Sequence, residues 1–527
     1  MKSRKKLLVL AGATAVLMLA SFGCGAKETK TPEKAAETSG NTIVAGDRYV
    51  GDQACKTCHE EVFTDWGKTS HAGFVTDAKA NPKAIPGNFD GNYPKMLNFG
   101  KDDIQYVLLS QPGMLKVQEL VGKKGTFGVP ADDYPVLWGS WDSGKNEWEI
   151  EVEAIGEGTP WLTTCAGCHV TDLKVPTDKK PDAAKTFSGF GITCEQCHGP
   201  GKEHAANPRE AKLVVSVAAE NCGQCHTRGA STAKKPDGKN FGYPYNAEKG
   251  QYTPGEKFED FYAIATPEQN PKDFWPTKHA KNSHHLQYPE WTMTGHATSL
   301  ATLKTSDHAK EECLKCHSAE AYLAKEGEKV TLDTAKNSVT CQVCHGSHDP
   351  KAGEGMLRVS RNEVCTQCHN SAGSLVIGKE AHHPHKELTQ GTIGLGFAVE
   401  PSKHSLAGVT CVDCHMPKTA SPKASHLMKV VLPKEGKQHS MPDSCSACHP
   451  SAGLDFLQKN VDEWQGDVTK QMAAVKAKLD AKKAQAGTTQ YKEALMYYQI
   501  VEADGSKGVH NYELSMKLLN SALQKLK

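Results

Sequence analysis

Two parts of the chain carry regular patterns of apolar and polar residues. Residues 104–109 are rich in β-forming side chains, and residues 147–152 alternate polar and apolar positions, as half-buried strands do. Near the C-terminus, apolar residues recur every three or four positions along one helical face. These residues are Leu454, Leu457, Val461, Trp464, Val468, Met472, Val475 and Leu479. The patterns predict a small β subdomain near residues 100–155 and C-terminal helices over residues 451–527.

The C-terminal helices are expected to form a helical hairpin. A break at residues 487–489 ends the first helical run, and residues 504–511 interrupt the pattern again before a final helix that ends near Leu526. Elsewhere the apolar residues follow no sustained period, and turns rich in Gly and Pro separate short predicted helices. The fold class is therefore predicted as mainly α with much irregular structure.

The composition leaves little material for a large core of side chains. Hydrophobic residues make up 38% of the 527 positions and aromatic residues 7%, which is less than a conventional protein of this size uses. Lys and Arg total 62 against 61 Asp and Glu, so the chain lacks the basic excess that follows a phosphate backbone. Something other than side chains must fill the interior, and no nucleic acid partner is expected.

Cysteine and histidine, at 19 and 24 positions, are concentrated in one motif, Cys-x-x-Cys-His, which occurs nine times at irregular spacing. Two cysteines three positions apart reach the two vinyl groups of one haem as thioethers, and the adjacent histidine then lies under the iron as its proximal ligand. The cysteine pairs are Cys55 and Cys58, Cys165 and Cys168, Cys194 and Cys197, Cys222 and Cys225, Cys313 and Cys316, Cys341 and Cys344, Cys365 and Cys368, Cys411 and Cys414, and Cys445 and Cys448. The proximal histidines are His59, His169, His198, His226, His317, His345, His369, His415 and His449. Nine covalently bound haem c groups are therefore predicted, with the fold packed around them.

Zinc ribbons and disulfides are the alternative uses of such cysteines. Neither requires a histidine directly after the second cysteine, and all nine motifs have one. The motifs use every cysteine of the chain except Cys24. The haem interpretation accounts for the whole pattern.

The histidines outside the motifs outnumber the second axial ligands that nine bis-His haems would need. A lone histidine can equally be a surface or hydrogen-bonded residue, and His279 and His308 are weaker candidates. The clusters at 284–285 and 382–385 are expected to supply one ligand each. The distal-ligand candidates are His71, His204, His284, His285, His296, His348, His382, His383, His385, His404, His426, His439 and His510. Methionine occurs at only 12 positions, so mainly bis-His haems of low potential are predicted.

Residues 1–23 have the pattern of a secretory signal peptide. Basic residues precede an apolar run that is too short for a comfortable transmembrane helix, and small residues follow it. The run ends at Cys24, which resembles a lipobox cysteine and predicts lipidation, followed by a flexible lipid-anchored tether over residues 24–44. A retained N-terminal anchor or ordinary cleavage nearby are the alternatives. The protein is predicted to be exported, to the periplasm or to the outer membrane and cell surface.

The motifs divide the rest of the chain into two haem-bearing parts. Residues 45–265 hold four motifs and the small β insertion, and residues 266–450 hold five motifs. The two propionates of each haem would make the holoprotein acidic, which favours basic redox partners or cationic metal species. The predicted partners are redox proteins, namely quinol-linked donors and other cytochromes, together with the membrane through the lipid anchor. An oligomer or a cytochrome filament is also compatible with the sequence.

The first half of the chain resembles known multihaem cytochromes c. The segments at residues 49–55, 161–169, 191–201 and 254–256 resemble the family that includes the tetrahaem cytochrome accepting electrons from hydroxylamine oxidoreductase. This resemblance implies stacked and offset haem pairs that serve electron transfer.

The second half resembles the pentahaem nitrite reductase and octahaem reductase group. Five motifs are followed by long helices, and the segments at residues 408–418 and 508–510 add to the likeness. The resemblance implies that His510 is an axial ligand donated by a terminal helix.

Electron carriage is favoured over catalysis, and no catalytic residue is predicted. In the nitrite reductase group the substrate-binding haem is attached through a motif ending in Lys, whereas all nine motifs here end in His. A reactive haem could still lack a distal histidine and use a tyrosine such as Tyr497, Tyr498 or Tyr512, although core packing is the simpler role for these. The predicted function is a periplasmic or outer-surface electron carrier in anaerobic or extracellular respiration. The alternative is a multihaem oxidoreductase acting on hydroxylamine or on nitrogen or sulfur oxyanions.

Overall fold

The computed structural model describes residues 48–87, 89, 97–108, 117–281, 285–348, 354–397, 400–420 and 423–527. The predicted signal peptide, the tether with Cys24, and His284 lie outside these residues. Among the residues described, no helix is both long enough and apolar enough to cross a membrane.

An antiparallel sheet forms the β subdomain that the sequence predicts. Its strands in the described residues are β1 Val75–Asp77, β2 Ile104–Leu108, β3 Val117–Gly122, β4 Pro135–Asp142, β5 Glu147–Ile150 and β6 Thr159–Pro160. They lie in the order β1-β2-β3-β4-β5, with β6 beside β4. The predicted strands at 104–109 and 147–152 correspond to β2 and β5, while β1 and β6 extend the sheet on either side of the predicted limits.

Side chains of the sheet are divided between two buried clusters. One is local to the subdomain and contains Leu97, Phe99, Ile104, Val107, Leu120, Leu137 and Trp138. The other joins Tyr106 and Val121 to Trp161, which precedes the second motif, and the ring centres of Tyr106 and Trp161 are 5.3 Å apart. Because successive side chains of a strand point to opposite faces, this small sheet carries its own core and also supports a motif.

Short helices and two-stranded sheets make up the motif-bearing part of the chain. The helices are α1 Asp52–Lys56, α2 Glu60–Trp66, α3 Trp161–Thr164, α4 Cys194–His198, α5 Lys202–Ala206, α6 Glu220–Gly223, α7 Gln287–Thr292, α8 Gly295–Lys304, α9 Leu314–His317, α10 Ala319–Leu323, α11 Cys341–Cys344, α12 His385–Gln390, α13 Lys403–Leu406, α14 Cys411–His415 and α15 Pro433–His439. The strand pairs are β7 Val170–Thr171 with β8 Gly189–Phe190, β9 Gly229–Ser231 with β12 Tyr262–Ile264, and β10 Tyr245–Asn246 with β11 Gly250–Gln251. Helices this short are unstable alone in water, so they depend on what they surround.

The C-terminal segment consists of longer helices. These are α16 Leu454–Ala481, α17 Thr489–Asp504 and α18 Tyr512–Lys525. The side chains of Thr488 and Asn511 accept hydrogen bonds from the backbone N–H groups of Tyr491 and Leu514, and so cap α17 and α18. The predicted apolar face of α16 is buried or half-buried at every position.

A hairpin of two helices describes only part of this segment. Residues 505–511 interrupt the helical pattern, and α18 then packs against both α16 and α17. The shared core contains Val468, Val475, Leu479, Ala494, Met496, Ile500, Val501, Leu514, Leu518, Leu519 and Ala522. The third helix completes this core, because it covers apolar side chains that two helices alone would leave in water.

Candidate haem-binding sites

One large cavity runs through the motif-bearing part of the chain. Its volume is about 3680 Å³, whereas a pocket for one small ligand measures roughly 300–1,000 Å³. All nine histidines of the motifs line it, together with every motif cysteine except Cys58 and Cys313. The residues predicted to hold haem therefore share one space that is large enough for several cofactors.

The motif cysteines are free thiols, as thioether attachment requires. None of them forms a disulfide. In the described part of the chain, the only group of three or more side chains able to hold a metal ion is His317, His382 and His383, and it contains no cysteine. Since a structural zinc site needs four converging ligands, the structure supports neither the zinc nor the disulfide alternative.

Six of the proximal histidines lie opposite a predicted distal histidine. Metal–imidazole bonds of about 2 Å on both sides of an iron place the two ring centres roughly 6 Å apart. The distances between ring centres are 6.4 Å for His59 and His204, 5.7 Å for His198 and His348, 6.3 Å for His317 and His383, 6.2 Å for His345 and His426, 6.1 Å for His415 and His510, and 6.3 Å for His449 and His404. The fold thus brings these pairs to the spacing that bis-His ligation needs.

The second and fourth motifs share two distal candidates. The ring centres of His71 and His285 lie 6.4 and 6.0 Å from that of His226 in the fourth motif. The ring of His169, in the second motif, packs against Phe74 at 4.6 Å, and its Nδ1 is buried without a hydrogen-bond partner among the described residues. Since one iron needs a single distal imidazole, the other member of the pair is available to the second motif.

The seventh motif also has a surplus of candidates. The ring centre of His369 is 6.0 Å from that of His296, 6.1 Å from that of His383 and 5.1 Å from that of His385. The 5.1 Å distance is short for two ligands of one iron, and His383 also lies opposite His317. His296 is therefore the best geometric match for the seventh iron.

Hydrogen bonds at the far side of several rings orient them for metal binding. A backbone carbonyl oxygen can only accept, so Nδ1 carries the proton and Nε2 keeps its lone pair for iron. The Nδ1 atoms that contact backbone carbonyl oxygens, at 2.5–3.2 Å, belong to His198, His204, His317, His345 and His426. These rings have the tautomer that a haem ligand requires.

Burial keeps three of the most enclosed imidazoles of the cavity neutral. Desolvation, with smaller contributions from neighbouring positive groups, lowers the pKa of His226 to about 3, of His285 to about 2 and of His426 to about 4. A protonated imidazole has no lone pair to give to a metal. His226, His285 and His426 are therefore neutral ligands over the physiological pH range.

The ring of His510 is hydrogen-bonded to a carboxylate in place of a backbone carbonyl. Its Nδ1 donates to Oδ1 of Asp504 at 2.7 Å. Burial lowers the pKa of His510, but the hydrogen bond and charge of Asp504 outweigh it, and the pKa lies above its ordinary value. The residue sits in the loop that precedes α18, which agrees with a ligand donated near a terminal helix.

Some predicted ligands lie away from the cavity lining. His382 is exposed, and His439 ends α15; neither belongs to the lining residues. His279 is fully buried, and its ring nitrogens contact the hydroxyl of Thr277 at 2.9 Å and the carbonyl of Lys429 at 2.8 Å. Both nitrogens of His279 are thus engaged in structural hydrogen bonds.

The tyrosines considered for a reactive haem also lie outside the lining. Tyr497 and Tyr498 are buried in the core of the C-terminal helices, and Tyr512 donates from its hydroxyl to Asp467 at 2.8 Å. His308 is exposed. Core packing and helix-to-helix contacts account for the three tyrosines.

Known cytochromes are similar to this chain. The chain matches the families Cytochrome c554 and c-prime over residues 138–199, Cytochrome c7 and related cytochrome c over residues 301–370, and Cytochrome c552 over residues 380–527. The chain is also similar to the outer cell wall cytochrome OcwA, whose crystal structure is known. The two sequences are 68% identical, the match covers 91% of this chain and 100% of the OcwA chain, and the TM-score is 0.89. The chain belongs to the OcwA family of cytochromes. No curated protein sequence matches it.

A further relative of this cytochrome is the undecahaem cytochrome from the S-layer of Carboxydothermus ferrireducens. It is 25% identical over 92% of this chain and 70% of its own, with a TM-score of 0.63. The predictions of a multihaem cytochrome c and of covalently bound haem c are confirmed by these relatives and families.

Cysteines from different motifs of the cytochrome lie against one another. The thiol pairs that shift each other's pKa most strongly are Cys55 with Cys194, Cys168 with Cys225, Cys222 with Cys341, Cys316 with Cys368, and Cys365 with Cys411. The pairs close enough to interact electrostatically include Cys197 with Cys222, Cys344 with Cys365, and Cys414 with Cys445. With the motifs numbered in chain order, these pairs connect motifs 1, 3, 4, 6, 7, 8 and 9 in a main line. Motif 2 lies beside motif 4, and motif 5 lies beside motif 7.

Residues between the motif cysteines hold one motif against another. Glu195, in the third motif, accepts hydrogen bonds from the N–H of Gly51 at 2.8 Å and of Gly201 at 2.7 Å, which ties α4 to the start of α1. Gln196 donates through its side-chain amide to the side-chain oxygen of Gln224, in the fourth motif, at 2.7 Å. Sequence reasoning missed these residues because the Cys-x-x-Cys-His definition leaves both central positions open.

A group of charged side chains lines the cavity near the second and fourth motifs. Arg228 and Lys423 both belong to the lining, and burial together with repulsion from Arg228 lowers the pKa of Lys423. Burial raises the pKa of Glu119, which interacts with both cations. Such cations can bind anionic groups, including haem propionates. Arg228 and Lys423 belong to no local sequence motif, so the sequence alone does not predict this group.

Proposed function

We propose that this protein is a nonahaem c-type cytochrome that carries electrons along a chain of mainly bis-His haems in anaerobic or extracellular respiration. The connected contacts among the nine attachment motifs carry the proposal. Bound haem supplies one-electron transfer between ferric and ferrous iron. The chain itself holds the attachment sites close together and sets the ligands and the burial of each.

The order of motif contacts favours one main path through the protein. The path follows motifs 1, 3, 4, 6, 7, 8 and 9, while motifs 2 and 5 are side branches. Among the motif cysteines, Cys58 and Cys448 are exposed and the others are half-buried. Because these two cysteines belong to the first and the ninth motif, both ends of the path are accessible to redox partners.

A location outside the cytoplasmic membrane, in the periplasm or at the cell surface, fits this role. OcwA is an outer cell wall cytochrome, and the undecahaem relative comes from an S-layer. The proposed partners are quinol-linked donors and other cytochromes, with a lipid anchor at Cys24 that tethers the chain to a membrane. Mass spectrometry of the mature N-terminal peptide tests the anchor: we expect an acylated Cys24, and an unmodified peptide would contradict it.

The path is tested by removing one attachment site at a time. Cys222→Ser with Cys225→Ser removes the fourth motif from the main line, whereas Cys313→Ser with Cys316→Ser removes the fifth, a side branch. Each variant loses one haem by intact mass. The protein is adsorbed on an electrode and supplied with an electron donor in solution, and the current through it is measured. We expect the fourth-motif variant to lose most of this current and the fifth-motif variant to retain it.

Two outcomes would contradict the proposal. An intact mass with fewer than nine haems in the wild-type protein would remove the nonahaem assignment. Equal losses of current in both variants, with circular dichroism spectra like that of the wild type, would show that the main line and the side branches do not differ.

The cations near the second and fourth motifs favour one second candidate, a multihaem oxidoreductase for anionic substrates. Arg228 and Lys423 lie near His285 and His226, where an oxyanion could bind. Low-temperature EPR distinguishes the two functions. Entirely low-spin ferric signals that do not respond to nitrite or hydroxylamine would support the carrier, and a high-spin signal shifted by either compound would support the enzyme.

A further inference from the structure

The partner of His510 is unusual among the histidines that the site assigns to iron. Five of the ligand rings described above place Nδ1 against a neutral backbone carbonyl, but the Nδ1 of His510 donates to the carboxylate of Asp504 at 2.7 Å. The side chain of Asp504 is 1% exposed. A buried carboxylate side chain therefore lies against the far side of one ligand imidazole.

The loop around His510 is locked in this arrangement by its own hydrogen bonds. The hydroxyl of Ser506 donates to Oδ2 of Asp504 and accepts from the backbone N–H of His510 at 3.1 Å. The side-chain amide of Asn511 donates to the carbonyl oxygens of Leu388 and Glu400 at 3.1 and 3.2 Å. The loop is thus fastened at both ends, and the imidazole cannot turn away from Asp504 without breaking its hydrogen bond to that carboxylate.

We propose that Asp504 is a positioning and tuning residue that makes the eighth haem, attached through Cys411 and Cys414, a low-potential step on the path. The inference rests on the proposed function. A buried anion that accepts from the far nitrogen of an axial imidazole makes that ligand a stronger donor and stabilises ferric over ferrous iron. The ring of His510 lies 6.1 Å from that of His415, so the effect acts on the eighth motif, directly before the last.

The test compares two carboxylates of the same helix in the mature holoprotein. Asp504→Asn keeps the shape of the side chain and removes its charge. Glu502→Gln is the matched control, because Glu502 is exposed and its carboxylate accepts from the hydroxyl of Tyr498 at 2.7 Å, with no contact to a ligand histidine. Potentials and g-values are followed by EPR-monitored redox titration.

In the Asp504→Asn variant we expect one low-spin haem to become easier to reduce. At a fixed potential its ferrous-to-ferric ratio should rise about tenfold, which corresponds to a reduction potential higher by about 59 mV for a one-electron couple. Glu502→Gln should leave all potentials as in the wild type. Asp504→Glu should restore the lower potential. His510→Met should raise the potential of the same haem, since methionine ligation does so, and this identifies the component that shifts.

Two results would overturn the inference. Unchanged potentials in Asp504→Asn, or an equal shift in Glu502→Gln, would each show that the charge of Asp504 does not tune the eighth haem. If Asp504→Asn does not fold, Ser506→Ala takes its place, with a smaller shift of the same sign expected. A wild-type protein whose eighth motif carries no haem would instead refute the proposed function itself.

Discussion

In the C-terminal segment, α16, α17 and α18 bury aliphatic side chains against one another, whereas the helices of the motif-bearing part surround a cavity of about 3680 Å³. The first region has the kind of core that side chains alone can stabilise. The second has several separate clusters of buried side chains, and between them lies the cavity that the motif residues line. Cofactors in this cavity would complete the interior that the side chains leave open, in a chain whose hydrophobic content is only 38%.

The comparison is tested most strongly by preventing haem attachment throughout the chain. We expect the amides of α4, α9, α11 and α14 to lose protection from hydrogen exchange, because helices of four or five residues are unstable without their packing partner. The amides of α17 and α18 should keep much of theirs. Hydrogen exchange with mass spectrometry measures both, and equal protection in α11 with and without haem would refute the idea.

A second test removes side-chain packing from the core of the C-terminal helices. Leu518 is fully buried in the C-terminal core, so Leu518→Ala should lower the free energy of unfolding of these helices by about 2–5 kcal/mol. The haem content should not change. Denaturant unfolding followed by circular dichroism gives the first quantity and intact mass the second. Lys476→Ala, on the exposed face of α16, is the control, and a comparable loss there would contradict the assignment.

Two glycines sharpen the comparison. In the second motif, a Cβ on Gly167 would lie 2.2 Å from ring atoms of Tyr243, so Gly167→Ala should cost about 1–3 kcal/mol through overpacking. Gly466, within α16, has open space around it, and Gly466→Ala should stabilise the protein by about 0.5–1 kcal/mol. Thermal unfolding of both variants checks the opposite signs. The same sign in both would mean that the close approach of Tyr243 does not matter.

A final test concerns His279, which lies outside the lining of the cavity. Burial lowers the pKa of His279, whose ring nitrogens are both hydrogen-bonded. The unfolded chain takes up a proton near pH 6.5 and the folded chain only at lower pH. Stability is therefore present above about pH 6.5 and falls as the pH drops through that value, by up to about 1.4 kcal/mol per pH unit.

The pH profile of unfolding in a His279→Gln variant measures this contribution. We expect a lower stability at neutral pH and a shallower loss on acidification than in the wild-type protein. The exposed His308 provides the control, since His308→Gln should leave the profile unchanged. A profile in His279→Gln as steep as the wild type would assign the acid sensitivity to other groups.

Sequence reasoning was most successful where the signal is local. The alternation at 147–152 and the apolar spacing from Leu454 to Leu479 each predict an element that the structure contains, because strand and helix periods are properties of neighbouring residues. It was less successful with β1 and β6, which lie outside the predicted limits of the β subdomain. Their place depends on β2 and β4, which are distant along the chain and supply their hydrogen-bond partners.

The motifs by themselves determined the haem chemistry of this protein, because two thiols and an imidazole within five residues suffice to attach one haem and bind its iron. Only the tertiary structure decided which second histidine faces each proximal one, and which motifs touch. His204 lies opposite His59, and Cys222 meets Cys341. Such contacts depend on the path of the whole chain around its cavity. The spacing of residues within a Cys-x-x-Cys-His motif carries no information about that path.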